Sequence, residues 1–153
     1  MPKLLILIPL LSFLCSCNNS MPTVNDSDSN SNETFTVLYN SEYGGSGIDR
    51  AEVITDLREW SLFWAELTYQ PALSAPKFNP DTKMIIRKDF QSQNTGGNEY
   101  TISAVNIEGN QINVEYSITS SEIGTDAITA PIMLIMVKKV DHPELNFQQI
   151  SRD

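Results

Sequence analysis

Hydrophobic and polar positions alternate most cleanly from Gln111 to Ile118, where Ile112, Val114, Tyr116 and Ile118 fall on one side. A period of two marks a half-buried strand. The run Glu99 to Ile107 precedes it, with Glu108-Gly109-Asn110 between. Two apolar runs joined by so short a glycine-containing segment predict a β-hairpin. Thr34 to Tyr39 (TFTVLY) alternates β-branched and aromatic residues and predicts another strand. Arg50 to Ile54 is a shorter strand candidate, and Lys83 to Phe90 (KMIIRKDF) a further one. Pro131 to Lys139 (PIMLIMVKK) is apolar at nearly every position. A strand of that kind needs cover on both faces, so it belongs in the middle of a sheet. Asn146 to Ile150 predicts a short edge strand.

The period changes once, after Asp56. Asp56-Leu57-Arg58-Glu59 has the form of a capping box, and Leu57, Trp60, Phe63, Trp64 and Leu67 recur at helical spacing. Both tryptophans lie on this face. A sugar-binding stripe would show the same spacing, but a helix of ~12 residues needs tertiary burial to be stable, so the face reads as core. The segment 68–82, with Pro71, Pro76 and Pro80, reads as a loop. The fold class expected is α+β: a mostly antiparallel β-sheet with one amphipathic helix packed on it.

Two polar connections stand out, 91–98 and 119–130. If the strands at 83–90, 99–107, 111–118 and 131–139 alternate in direction, the turn at Glu108 to Asn110 lies at one end. Both connections then lie at the other. Loops on a rigid sheet are where binding residues concentrate. Thr95, Gly96, Gly97, Asn98, Glu122 and Asp126 are therefore expected to share one partner-binding patch.

The first residues follow a different logic. Lys3 precedes an apolar run from Leu4 to Leu14, far shorter than the ~20 residues of a membrane-crossing helix. This is the layout of a secretory signal. Leu14-Cys15-Ser16-Cys17 resembles the lipobox of bacterial lipoproteins. That resemblance implies cleavage before Cys17 and acylation of its thiol, with palmitate among the acyl chains. Residues 1–16 are then a signal peptide, 17–34 a flexible lipidated tether and 35–153 a single domain. The tether is dominated by Asn, Ser and Asp, a composition that cannot repay its ordering entropy. Asn18 stands where an aspartate would resemble the inner-membrane retention signal, so the expected address is the cell envelope at the outer membrane. Contact with the membrane is expected through the lipid alone.

Charge narrows the partners. The chain carries 10 Lys and Arg against 19 Asp and Glu, a net charge of −9, and Lys3 is the only charge within 1–16. Such acidity argues against nucleic acid and anionic headgroups as partners. Chemistry is sparse. Cys15 leaves with the signal and Cys17 is lipidated, so no disulfide framework is available. The one histidine, His142, sits in Asp141-His142-Pro143-Glu144 and reads as an exposed turn. Gly-x-Ser-x-Gly and P-loop patterns are absent. Thr95-Gly96-Gly97 lacks a following lysine or helix signal and reads as backbone geometry, not a phosphate cradle. No catalytic residue, metal or cofactor is expected.

From Asp81 to Lys139 the chain resembles the small C-terminal domain of the protease complex subunit family PrcB. The matching residues are Met84-Ile85-Ile86 with Asp89-Phe90, then Thr95-Gly96-Gly97, Tyr100-Thr101-Ile102 and Val105, then Pro131 opening an apolar strand that ends in Lys138-Lys139. The helix bearing Glu59-Trp60 and Trp64 is similar to the segment that often precedes that domain. The family pattern runs Gly-Gly-Tyr, whereas Asn98 and Glu99 intervene here. The resemblance implies a non-catalytic lipoprotein that binds and stabilises a secreted protease subunit. The alternative is a glycan- or small-ligand-binding surface lipoprotein, which would need Trp60, Trp64 or Tyr116 exposed.

Overall fold

The computed structural model describes residues 35–68 and 74–151, apart from the side chains of 121–125. The expected signal peptide, the expected tether and Cys17 lie outside the described residues. The elements run β1 (Phe35–Ser41), β2 (Arg50–Ile54), α1 (Leu57–Thr68), β3 (Lys83–Asp89), β4 (Gly96–Glu108), β5 (Gln111–Thr125), β6 (Ile132–Lys138) and β7 (Glu144–Gln149). The class is α+β, mostly antiparallel, with the helix packed on a sheet.

The strands form two sheets. One has the order β1-β6-β3-β2 and is antiparallel throughout. The other has the order β4-β5-β7, with β4 and β5 antiparallel and β7 parallel to β5. This corrects the expectation of successive antiparallel neighbours: β3 pairs with β6 and β2, not with β4. The reason is legible in the side chains. β3 and β6 are apolar on both faces, and each face meets a different layer. Ile85, Ile132 and Leu134 pack with Trp60 and Leu67 of α1 and with Ile54. Met84, Ile86, Ile135 and Val137 pack with Val105, Ile112 and Val114 of the second sheet. The result is three layers, helix, sheet and sheet, with the four-stranded sheet in the middle. A satellite cluster of Phe90, Tyr100 and Met133 closes one end of the inter-sheet core.

The Asp56 cap forms as read, with the Glu59 amide donating to Asp56 Oδ1 at 2.8 Å. A cap of this type stabilises a helix by about 1 kcal/mol. Trp60 is buried and its Nε1 donates to the Pro76 carbonyl at 2.8 Å, which ties the following segment across the helix. Leu57 departs from the expected apolar face: it is exposed and takes no part in the cluster that Trp60, Phe63, Trp64 and Leu67 form with the sheet.

On the helix-facing side of β3, polar residues continue the row begun by Ile85. Asp89 is fully buried and accepts from Arg87 Nε and Nη2, at 2.9 and 2.8 Å, and from Arg50 Nε at 2.9 Å. Arg87 also reaches Glu52 at 2.9 Å and lies over the Phe63 ring at 4.4 Å. Burial pushes the Asp89 carboxyl up, but hydrogen bonds from Arg87, Ser46 and Arg50 outweigh it and hold it below the usual carboxylate range.

The hairpin is longer than its alternation implied. β5 continues through 119–125, read from sequence as loop, and pairs with β4 as far as Gly96 and Thr125. The Glu108–Asn110 turn sits at the pole where β1 begins, and β7 starts beside it: the Glu144 amide donates to the Asn110 carbonyl at 2.9 Å. His142, exposed and at φ 49°, lies in this same region.

Candidate functional site

At the opposite pole three connections meet. β1 and β2 are the two edge strands of one sheet, so the link 42–49 must pass over the ends of β6 and β3. Its glycines permit that passage. The Gly45 amide donates to the Ala130 carbonyl at 2.8 Å, and a Cβ on Gly45 would lie 2.5 Å from the Pro131 oxygen. Gly44 and Gly47 take φ of 106° and 74°, a region that L side chains rarely adopt. The Ser92 amide donates to the Gly47 carbonyl at 3.0 Å.

The second connection, after β3, bonds the third, before β6. Gln93 and Thr129 exchange backbone hydrogen bonds of 3.0 and 2.9 Å, and Phe90 donates to the Pro131 carbonyl at 3.0 Å. Thr95, Gly96, Gly97 and Asn98 therefore stand next to the end of β5 and the residues after it. Gly96 pairs with Thr125, whose neighbour Asp126 is exposed. Glu122 lies on β5 in the same region, but its side chain is outside the described ones. The two stretches share a pole although they do not link successive strands of one sheet.

Two shallow clefts flank Asn98 and Tyr100. One, of about 270 Å³, is lined by Asn40, Ser41, Glu42, Gly97, Asn98, Glu99 and Tyr100. The other, of about 310 Å³, is lined by uncharged residues, among them Gln93, Thr95, Ser120 and Gln149. The first falls below, and the second at the bottom of, the ~300–1,000 Å³ typical of small-molecule sites. Tyr100 is buried against Phe90, with ring centroids 4.7 Å apart, and Phe90 also meets Tyr116 at 5.3 Å. Burial, then the nearby Glu42 and Tyr116, raises the Tyr100 hydroxyl above its ordinary value; burial and Asp49 do the same at Tyr116. Both phenols therefore stay neutral at physiological pH.

Around the clefts, the connections carry large apolar side chains in solvent. Tyr43 is 54% exposed, Ile48 68% and Ile128 77%. These three escaped the sequence reading, as did Asn40 and Glu42. The available signal was a bulky apolar residue inside an otherwise polar, glycine-bearing loop. Trp60, by contrast, faces inward, and Trp64 and Tyr116 are partly buried against other aromatic rings.

Among the described residues, no group of three or more His, Cys, Asp or Glu side chains could hold a metal ion. No helix among them is long and apolar enough to cross a membrane. Compared with models of known protein families, with curated proteins and with solved structures, the chain finds no match.

Proposed function

We propose that this chain is a non-catalytic protein-binding module of the bacterial cell envelope, anchored by lipid at Cys17 to the outer membrane. Its partner docks on the pole where the three connections meet. The observation that carries the reading is Tyr43, Ile48 and Ile128, exposed on loops that are hydrogen-bonded to each other and to the ends of β3 and β6. Apolar side chains held in solvent on a braced backbone suit protein contact, because little ordering entropy is lost on binding. A secreted protease subunit is the partner that the PrcB resemblance implies. The glycan-binding alternative called for Trp60, Trp64 or Tyr116 in solvent, whereas Trp60 faces the core and Trp64 and Tyr116 pack against other rings.

Photocrosslinking in cells tests the reading. A photoreactive side chain at position 128 should capture one envelope protein. The same group at position 62, where exposed Leu62 lies on α1, should not. Equal capture at both positions, or none at 128, refutes the docking pole. The identity of the adduct decides whether the partner is a protease subunit.

A further inference from the structure

β4 is an edge strand of its sheet, and its first half faces the end of β1, an edge strand of the other. The slot between them is the cleft lined by Asn40, Ser41, Glu42 and Gly97 to Tyr100. In an antiparallel ladder, alternate residues turn their main-chain groups to the neighbouring strand, and the rest turn theirs outward. The Asn98 amide donates to the Glu42 carboxylate, and the Tyr100 carbonyl accepts from the Asn40 amide. Residues 98 and 100 thus present their main-chain groups to the slot, and the same alternation turns the Asn98 carbonyl and the Tyr100 amide that way.

The chemistry of these two contacts is that of a missing strand. A carboxylate oxygen stands where an adjacent strand's carbonyl would accept, and a side-chain amide stands where its N–H would donate. The slot also has a charge. Glu42 and Glu99 line it and no cation does.

We propose that this slot receives an extended peptide segment of a partner protein, carrying lysine or arginine, which pairs with β4 main chain to main chain. The proposal rests on the protein-binding reading and gives that partner a recognisable form. The incoming strand takes the Asn98 amide and the Tyr100 carbonyl from Glu42 and Asn40, as in other strand-addition complexes. Its basic side chains lie along the two glutamates. The apolar rim at Tyr43, Ile48 and Ile128 contacts the partner beside the segment. The same two side-chain contacts would also guard an edge that binds nothing, and the experiment separates the two roles.

Random peptides displayed on phage are selected on the full chain. Enriched peptides should carry Lys or Arg within a β-branched, proline-free run. N-methylation at alternate peptide positions should abolish binding, while N-methylation at the intervening positions should not. Asn40→Ala, checked for intact folding by circular dichroism, should bind the same peptides about two- to ten-fold more tightly, the worth of one freed hydrogen-bonding group. Absence of enrichment overturns the proposal. So do peptides indifferent to N-methylation, or a folded Asn40→Ala protein that binds no better. A self-associating Asn40→Ala protein that binds no peptide identifies a guarded edge and also overturns it. Failure here with a specific adduct at position 128 leaves the docking pole standing. Enriched peptides without that adduct support the slot and remove the rim.

Discussion

Replacing each tryptophan of α1 by phenylalanine separates a satisfied indole from an unsatisfied one. Trp60 is 1% exposed, and its Nε1 donates to the Pro76 carbonyl. The Trp64 Nε1 is buried without a hydrogen-bond partner among the described residues. The two rings touch, with centroids 5.2 Å apart, so they share one environment. Trp60→Phe removes part of a close-packed ring, at about 1–2 kcal/mol, on the scale of partial core truncations. It also deletes a hydrogen bond worth about 1 kcal/mol. The expected loss is about 2–3 kcal/mol. Trp64→Phe has a similar packing cost, but it removes a buried donor whose lack of a partner costs about 1–3 kcal/mol. Its net effect is expected to be near zero, about 2 kcal/mol apart from Trp60→Phe. Urea unfolding measures both, and each variant keeps one tryptophan as its own fluorescence probe. A Trp64→Phe protein that loses as much stability as Trp60→Phe refutes the reasoning.

The buried carboxylate gives the next outcome. Asp89→Asn should cost about 3 kcal/mol, the low end of the ~3–5 for breaking a buried ion pair, because Glu52 still pairs with Arg87. The wild-type Asp89 carboxyl is held below its ordinary value, so its contribution is full above about pH 4 and is lost as pH falls through the folded-state value. The urea midpoint should therefore drop at acid pH in the wild type and drop less in Asp89→Asn; parallel curves would show that Asp89 does not drive the acid limb. Gly45→Ala should destabilise well beyond Gly109→Ala, since a Cβ at 45 meets the Pro131 oxygen at 2.5 Å while one at 109 meets nothing within 4 Å. The latter carries only the left-handed backbone strain, about 1–2 kcal/mol, and a thermal melt of each variant ranks them. For the lipid anchor, labelled palmitate should enter the wild-type chain and not Cys17→Ala; equal labelling excludes Cys17 as the acylated residue.

Much of the fold was legible because its signals are local. Asp56 and Glu59 mark the helix start through one hydrogen bond, from the Glu59 amide to the Asp56 side chain. Glu108-Gly109-Asn110 marks a turn because Gly109 adopts φ 62°. The run 132–138 is central because both of its faces are apolar and both are covered. Pairing was not legible. Two-residue periodicity says which side chains share a face but not which strand lies alongside, so the division into two sheets stayed hidden. Ser120 and its polar neighbours look like loop, yet Ser120 pairs with Asn98 and Thr125 with Gly96, across a shift in register between the two pairs. Of the candidate site, Thr95 to Asn98 were found through their glycines and polarity. Asn40 and Glu42 were not, since an amide and an acid at a strand end gain meaning only from the edge they face.

The direction of β1 also decides how the domain bears mechanical load. The strand begins at Phe35, at the pole of the Glu108–Asn110 turn, and ends at Ser41, at the pole of the three connections. For a chain anchored at Cys17, a partner pulling on those connections draws the strand lengthwise between membrane and partner. Pairs from Phe35 with Val137 to Ser41 with Ile132 then lie along the pull and share it. A strand loaded lengthwise must release its bonds together, whereas one lifted from its end releases them in turn. Were the chain tethered at Cys17 and pulled through the connection before β6, this ladder would bear the tension in shear.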